Sequence, residues 1–379
     1  MKTKLAVALV LLLSAQSVLA QQKPNLRDVD RVRIAEAFGI GQALGDDVWK
    51  GWDKAPFAVL LVTPEIEFLI RHPRPSEDFT LIGYDSRLQS NLYFRKRNFD
   101  PHLLATFPAV GGISTIVIGQ AENTSKKTST AWVVTMLHEH FHQLQNSQPG
   151  YYTDVNALNL SRGDETGMWM LNYAFPYSEP TVKEHFTVLS RSLAEALQTK
   201  KNREFSAKVA AYLEARRKFK ALLDADDYRY FSFQVWQEGV ARYTEYSIAE
   251  LAAKSYKPSK EFRSLKDYKP FKLVADEIIK NIVEELTTLR LEDYKRVAFY
   301  PLGAGEALLL ERLNPQWKER YFTDKFYVDK YFDTALYHRA ASHPSRPRIG
   351  LPLMLDLAVS ALCTRPVNSG VKLPGNDKF

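Results

Sequence analysis

Cysteine is almost absent from this chain: Cys363 is the one cysteine among 379 residues. A single thiol excludes an intramolecular disulfide framework. The fold must therefore rest on its apolar core, and hydrophobic residues, at 45% of the sequence, are numerous enough for a substantial one. The length is that of two domains or of one large domain.

Long apolar runs are also absent from the rest of the chain after the N-terminus. No segment there approaches the ~20 apolar residues of a membrane span. The N-terminus itself has basic Lys2 and Lys4, an apolar stretch over residues 5–13, and small residues at Val18-Leu19-Ala20. This order predicts a secretory signal peptide over residues 1–20, with an uncleaved N-terminal anchor as the alternative. We therefore expect a secreted or periplasmic protein with no stable membrane insertion after signal cleavage.

The lack of disulfides in a chain predicted to be exported favours a bacterial periplasm or cell exterior. Two sequences, Asn123-Thr124-Ser125 and Asn159-Leu160-Ser161, match the acceptor pattern for N-glycosylation. In a bacterial chain we attach no significance to them.

Long basic runs with interleaved aromatic residues are missing too. The formal net charge is +7, and removal of residues 1–20 would take away Lys2 and Lys4 and leave +5. The basic residues are dispersed, with short clusters only at 95–97 and 216–218. We therefore expect no nucleic-acid partner.

The stretch with the clearest chemistry is His138-Glu139-x-x-His142. Residues four apart lie one turn apart on the same face of a helix. Both histidines can therefore direct a ring nitrogen at one point ~2.0–2.1 Å from each ring. Glu139 is rotated about 100° from His138, which suits it to contact a water molecule rather than the metal. The motif predicts a site for one Zn²⁺ per chain, with Glu139 as the general base.

The surrounding sequence predicts the helix that such a site needs. Apolar residues recur at helical spacing and form one stripe: Val133, Val134, Leu137, Phe141 and Leu144. Residues 128–130 offer an N-cap, and Pro149-Gly150 ends the helix. His140 points about 200° away from His138 and cannot bind the same metal. We interpret it as a core-edge histidine with a hydrogen-bond partner, and a supporting contact behind the metal ligands is the alternative.

The chain before residue 150 is rich in predicted strands, and the chain after it in predicted helices. Strands are expected at 57–62, 91–94 and 113–118, and 65–70 is either a further strand or one helical turn. A short helix is expected at 31–43. Longer segments with helical apolar spacing follow residue 150: 183–200, 202–224, 231–254, 271–290 and 302–313.

These elements predict an α+β fold in which helices dominate. Residues 21–150 would form a small N-terminal mixed β-sheet with the His138 helix. Residues 151–363 would form a mainly helical part. Residues 364–379 contain two prolines and two glycines among polar residues, which indicates a loose tail.

Two histidines do not complete a zinc site, because a catalytic zinc has a third protein ligand and a water molecule. The metzincin extension of the motif would place glycine at 145 and histidine at 148, but this chain has Gln145 and Gln148. The third ligand must come from farther along the chain. The candidates are Glu165, Glu184, His185, Glu195 and Glu238.

Glu238 lies in the sequence Glu238-Gly239-Val240-Ala241-Arg242-Tyr243. Together with the His138-Glu139-x-x-His142 motif, this Glu-Gly-x-Ala-x-Tyr pattern resembles the gluzincin metallopeptidases, most nearly the peptidase MA-like group, over roughly residues 57–255. The resemblance implies a zincin-like fold with Glu238 as the third metal ligand, supplied by the helical part. It also implies that an edge strand of the sheet borders the substrate cleft, and 113–118 is our candidate for that strand.

The small residues after Glu238 have a physical interpretation. Gly239 and Ala241 would let their helix approach the His138 helix closely, so that a glutamate could reach the metal. The alternative is that Glu238 forms only a salt bridge with Arg242 at i,i+4.

The sequence thus predicts an exported, zinc-dependent metallopeptidase of gluzincin type that acts on a peptide or protein substrate. A zinc hydrolase of a non-peptide amide or ester is one alternative. A degenerate zincin retained as a binding or scaffold protein of the envelope is another. Tyr243, Tyr246 and Tyr300 are candidates for a second donor to the oxyanion, with packing as the alternative for each.

Overall fold

The structure of the protein is a computed structural model that describes residues 23–332. The predicted signal peptide over 1–20 and the predicted tail over 364–379 lie outside the described residues. The last part of the predicted helical segment 151–363 does so as well. None of the helices within 23–332 combines the length and apolar character that a membrane crossing needs.

The N-terminal part contains a six-stranded mixed sheet. In chain order the strands are β1 Val59–Val62, β2 Ile66–Ile70, β3 Thr80–Asp85, β4 Ser90–Lys96, β5 Leu104–Val110 and β6 Ile113–Gly119. Their spatial order is β3-β4-β2-β1-β6-β5. Strands β1 and β6 run parallel, with Val59 opposite Ile116, and the other neighbours are antiparallel.

One helix precedes the sheet in the chain, and the other helices of the described residues follow it. They are α1 Asp28–Val48, α2 Ser129–Ser147, α3 Tyr151–Ala157, α4 Trp169–Asn172, α5 Pro180–Gln198, α6 Asn202–Leu222, α7 Ala225–Gln234, α8 Val240–Ser255, α9 Lys260–Arg263, α10 Phe271–Thr288, α11 Leu291–Tyr294, α12 Phe299–Leu313 and α13 Lys318–Tyr321. The molecule is therefore mixed α and β and mostly helical, as the sequence predicted.

Both faces of the central strand β1 are buried. Alternate side chains of a strand point to opposite faces of the sheet, so β1 contributes to two hydrophobic clusters. Val59 and Leu61 of β1 face the helices and join the large hydrophobic core. Leu60 and Val62 face the other way and pack into a smaller cluster that includes Phe79. This two-sided burial explains why β1 has an uninterrupted apolar sequence.

The predicted strands all form, and the segment 65–70 is a strand rather than a helical turn. Two further strands, β3 and β5, were not predicted. β5 contains Pro108, which argues against a strand in sequence, and its pairing with β6 shifts register between Phe107 and Val110. Proline is tolerated there because, in the part of the chain that the structure describes, β5 has a strand neighbour on one side only.

The sheet order corrects one prediction. The segment 113–118 is not the edge strand, because β6 lies between β1 and β5. The edge on this side of the sheet is β5. It packs against α2, the helix that carries the two histidines.

The predicted helices form with small shifts in their bounds, but the segment 231–254 is not one regular α-helix. It consists of α7, a π-helical turn Val235–Gly239, and α8. Such a turn inserts an extra residue into a helix and is frequent at functional sites. Here it contains Glu238.

The start of α2 also differs from the prediction. Thr128 occupies the N-cap position, but its side chain makes no capping bond. The carboxylate of Asp267 caps the helix instead, accepting bonds from the Ser129 amide at 2.9 Å and the Ser129 hydroxyl at 2.6 Å. Arg33 donates to the same carboxylate at 3.1 Å. The N-terminus of α2 is thus fixed by residues distant in sequence.

Gly239 serves a different contact from the one predicted. A Cβ on Gly239 would lie 2.5 Å from the Cα of Gly303, and a Cβ on Gly303 would lie 2.4 Å from the carbonyl oxygen of Val235. The π-helical turn therefore packs backbone to backbone against α12 rather than, as predicted, against the helix of His138. Only glycine fits at this approach.

Candidate metal centre

His138, His142 and Glu238 converge on one point between α2 and the π-helical turn. The Nε2 atoms of the two histidines are 3.1 Å apart. Oε2 of Glu238 lies 3.8 Å from the His138 nitrogen and 3.5 Å from the His142 nitrogen. Among residues 23–332, no other group of three histidine, cysteine or acidic side chains is placed to share a metal ion.

These separations suit a tetrahedral cation. Ligands at ~2.0–2.1 Å from a tetrahedral zinc lie roughly 3.3–3.4 Å from one another. The three measured separations bracket this value. A donor set of two imidazoles and one carboxylate is also that of a catalytic zinc site, which keeps a fourth position for water or substrate.

The site is largely removed from solvent, yet one ligand remains partly accessible. The His138 and His142 side chains are 7% exposed, and that of Glu238 is 20% exposed. Burial opposes ionisation of Glu238, but the two histidines outweigh it and hold its pKa well below the usual range. A charged carboxylate is the form that binds a cation.

The rear nitrogen of His138 faces a second carboxylate. His138 Nδ1 lies 2.9 Å from Oε1 of Glu245, one of the buried acidic residues of α8. Burial opposes the charged form of His138, but Glu238 and Glu245 outweigh it and raise its pKa to about 10. The same negative charge favours a bound cation. A carboxylate behind a metal-binding histidine fixes the ring and increases its basicity.

The rear nitrogen of His142 faces amides rather than a carboxylate. His142 Nδ1 lies 2.6 Å from Oε1 of Gln145 and 3.2 Å from Nε2 of Gln237. Gln237 in turn accepts a bond from the Tyr151 hydroxyl at 2.9 Å. Gln145 donates to the carbonyl of Gln237 at 3.1 Å and thereby links α2 to the π-helical turn. This network fixes the His142 ring relative to the segment that carries Glu238.

Glu139 is held by the edge strand. The hydroxyl of Thr106, in β5, donates to Oε2 of Glu139 at 2.8 Å. The same hydroxyl lies 3.0 Å from the Glu139 carbonyl oxygen. Glu139 is buried next to His138 but does not belong to the group of converging ligands. Its position agrees with the geometry expected from the helix.

Of the three tyrosines considered from sequence, only Tyr300 lies at the candidate metal centre. Its hydroxyl neighbours Glu238, and burial together with that negative charge raises the pKa of Tyr300 well above its usual value. Arg296 donates to this hydroxyl at 2.5 Å. Tyr243 instead donates to Glu311 at 2.6 Å. Tyr246 contacts Glu250.

The other candidate ligands lie elsewhere. Glu165, Glu184 and Glu195 are exposed. His185 contacts the Thr181 carbonyl of its own helix through Nδ1, at 2.9 Å. Of the five candidates, the structure brings only Glu238 to the two histidines.

The predicted alternative for Glu238, a salt bridge to Arg242, is not found. Arg242 pairs with Glu285 of α10 at 3.0 Å. The carboxylate of Glu238 therefore faces the two histidines rather than the arginine one turn farther along the chain.

His140 is a core histidine. Its ring stacks on Phe57 with centroids 3.6 Å apart and lies 5.5 Å from the ring of Trp52. Nε2 lies 3.4 Å from the Ala55 carbonyl oxygen. Burial lowers its pKa to about 3. The ring faces away from the metal centre, as its helical position required.

Sequence reasoning missed Thr106, Gln145, Gln237, Glu245 and Arg296. Two of them had a usable signal: Gln145 follows His142 by one helical turn, and Glu245 follows Glu238 by two. Thr106 and Arg296 had none, since each reaches the site from a segment far away in the chain.

Comparison of the chain with models of protein families, with curated proteins and with solved structures found no match in any of the three.

Proposed function

We propose that this protein is an exported, zinc-dependent metallopeptidase of the gluzincin type, with a zincin-like arrangement of sheet and helices. The observation that carries the proposal is the convergence of His138, His142 and Glu238, with Glu139 beside them on the same helix. Donor types, separations and burial all fit a catalytic zinc with one open position.

A bound zinc would supply a Lewis acid that acidifies water and polarises the scissile carbonyl. The chain's own contribution is the proton transfer. Glu139 accepts a proton from the attacking water on a carboxylate oxygen and delivers it to the leaving amine. Thr106 holds Oε2 of Glu139, so the other oxygen, Oε1, is the one left for the proton. Tyr300, next to Glu238, is the candidate donor to the developing oxyanion.

The substrate path follows from the position of β5. One side of this strand pairs with β6, and within residues 23–332 no strand pairs with its opposite side. An extended peptide can add to a free strand edge through backbone hydrogen bonds. Because Thr106 of β5 contacts Glu139, a peptide bound along this edge would pass the general base.

The test combines metal analysis with hydrolysis of a mixed peptide library. The purified wild-type protein is expected to contain about one zinc per chain, because a donor set of two histidines and one glutamate is that of catalytic zinc sites. It should cleave peptides, and a chelator should abolish the cleavage.

The Glu139→Gln variant is expected to retain zinc and to lose peptide hydrolysis by at least ~100-fold, because an amide cannot accept the proton. A folded protein that cannot be loaded with zinc would contradict the proposal. Zinc binding without hydrolysis of any peptide would instead favour a non-peptide amide or ester substrate, or a binding protein.

A further inference from the structure

Arg296 directs its side chain at the candidate metal centre from a segment that the proposed chemistry does not use. It lies in the short 3₁₀ turn Lys295–Ala298, between α11 and α12. One guanidinium nitrogen, Nη1, donates to the Tyr300 hydroxyl at 2.5 Å. That hydroxyl neighbours Glu238, and the Glu238 charge also acts on Arg296. The guanidinium is therefore one residue removed from a candidate metal ligand.

The half-buried guanidinium of Arg296 forms no ion pair with any carboxylate among residues 23–332. Other arginines in the protein interior are paired: Arg216 with Glu306 at 2.8 Å, and Arg242 with Glu285 at 3.0 Å. Arginine stays charged in proteins and carries five N–H donors, of which the Tyr300 contact uses one. Most of the hydrogen-bonding capacity of Arg296 is left for another acceptor.

Lys295, the residue directly before Arg296, has an unfavourable backbone conformation. Lys295 has φ 48° and ψ −129°, a conformation that residues with a Cβ rarely adopt. The Lys295 side chain is exposed, so its own packing does not impose this geometry. Unfavourable backbone conformations are retained where the surroundings demand them, and they cluster at functional sites. In this turn the residue that follows the strained position is Arg296.

We propose that Arg296 binds a carboxylate of the substrate beside the metal centre, so that the enzyme acts on carboxylate-bearing peptides. The inference rests on the proposed peptidase function. A planar guanidinium pairs with a carboxylate through two parallel N–H···O bonds, which gives both affinity and orientation. The carboxylate has two sources, the free C-terminus of a peptide or an acidic side chain near the scissile bond.

The competing role for Arg296 is purely internal, namely to hold Tyr300. The two roles predict different effects on peptide selectivity. An arginine that binds the substrate carboxylate discriminates between peptides with and without that group. An arginine that only holds Tyr300 affects all peptides alike.

The test measures equilibrium binding of fluorescent peptides in the zinc-loaded Glu139→Gln background, so that no hydrolysis intervenes. One peptide sequence is used in four forms, with a free or an amidated C-terminus and with glutamate or glutamine flanking the scissile bond. A carboxylate form is expected to bind on the order of 10- to 100-fold more tightly than its neutral counterpart, as for hydrogen bonds to charged groups. The form that loses affinity on neutralisation identifies the source.

Arg296→Gln should abolish this preference. Arg296→Lys should retain only part of it, because lysine keeps the positive charge but lacks the planar fork of the guanidinium. Tyr300→Phe keeps the arginine and should keep the preference. Arg263→Gln, at an exposed arginine of α9, is the control and should change nothing. Equal affinities for all four peptides, or a preference that survives Arg296→Gln, would overturn the proposal.

The proposed peptidase function can fail separately. If wild-type protein with zinc does not hydrolyse peptides but still prefers carboxylate forms through Arg296, the carboxylate site stands and the peptidase assignment falls. If it hydrolyses neutral and carboxylate peptides equally, with equal affinity, the peptidase assignment stands and the role of Arg296 falls.

Discussion

The hydroxyl of Thr106 donates a 2.8 Å hydrogen bond to Oε2 of Glu139 and so joins the edge strand β5 to the carboxylate next to His138. The strand whose edge would receive a peptide thereby contacts, through a side chain, the group that would take a proton. This bond fixes which oxygen of Glu139 is available and where it points. The consequence is that Thr106 acts as a positioning residue for the proposed general base.

Replacement of Thr106 by valine tests this role. Valine keeps the shape of the side chain and removes the donor, so the Glu139 carboxylate loses its fixed orientation. We expect kcat for peptide hydrolysis to fall on the order of tenfold, with little change in KM or zinc affinity, as for the loss of one hydrogen bond to a charged group. Thr106→Ser, which restores the hydroxyl, should recover most of kcat. An unchanged kcat in Thr106→Val would remove Thr106 from the mechanism.

The two histidines and Glu139 could be predicted from sequence because their arrangement is local. A helix fixes the relative directions of positions 138, 139 and 142, and apolar spacing identified the helix. His140 followed from the same geometry. Glu238 could be found only through its resemblance to a known pattern, since no local rule relates it to His138.

The remaining features depend on contacts between distant segments. Pro108 weakens the strand pattern of β5. An edge position tolerates proline, but edge positions cannot be identified from local sequence. Gly239 was correctly expected at a close approach, but the partner is Gly303, and the partner of a glycine is a tertiary property. Asp267 as the cap of α2 and Thr106 as the partner of Glu139 are likewise set by the assembled fold.

Glu238→Ala tests the least local of the three candidate ligands. It removes a carboxylate oxygen that lies 3.5 Å from the His142 nitrogen, so zinc affinity should fall by at least ~100-fold if Glu238 binds the metal. The fold should persist, because alanine is well accepted in helices. Zinc titration against a competing chelator gives the affinity, and thermal unfolding of the zinc-free protein gives the stability.

The matched controls for Glu238→Ala are Glu184→Ala and Glu195→Ala, at exposed glutamates of α5, which should leave zinc affinity unchanged. If Glu238→Ala binds zinc as tightly as the wild type, the third ligand is a different residue and the proposed centre is wrong in that respect.

Glu245→Gln addresses the contact behind His138. The carboxylate lies 2.9 Å from His138 Nδ1, and its loss removes both the orientation of the ring and a negative charge near the cation. Residues behind metal ligands typically account for ~10- to 100-fold in metal affinity or activity. We expect a loss of zinc affinity in that range, measured with the same chelator competition.

Glu250→Gln is the control for Glu245→Gln, because Glu250 lies on the same helix but pairs with Lys254 at 2.6 Å. It should leave zinc affinity unchanged. Indistinguishable affinities in Glu245→Gln, Glu250→Gln and wild type would show that the His138 ring is held by its packing alone.

Gly239→Ala tests whether the backbone contact between the π-helical turn and α12 positions Glu238. The added Cβ would lie 2.5 Å from the Cα of Gly303, and backbone atoms cannot yield as a flexible side chain can. We expect unfolding in denaturant to show a loss of ~1–3 kcal/mol, as for overpacking, together with weaker zinc binding because Glu238 is the adjacent residue. Gly41→Ala in α1 is the control for zinc affinity, which it should leave unchanged. Its Cβ would meet side-chain atoms rather than backbone, the nearest being a ring carbon of Phe57 at 3.1 Å. Destabilisation in Gly239→Ala with unchanged zinc affinity would mean that this contact holds the fold without setting the position of Glu238.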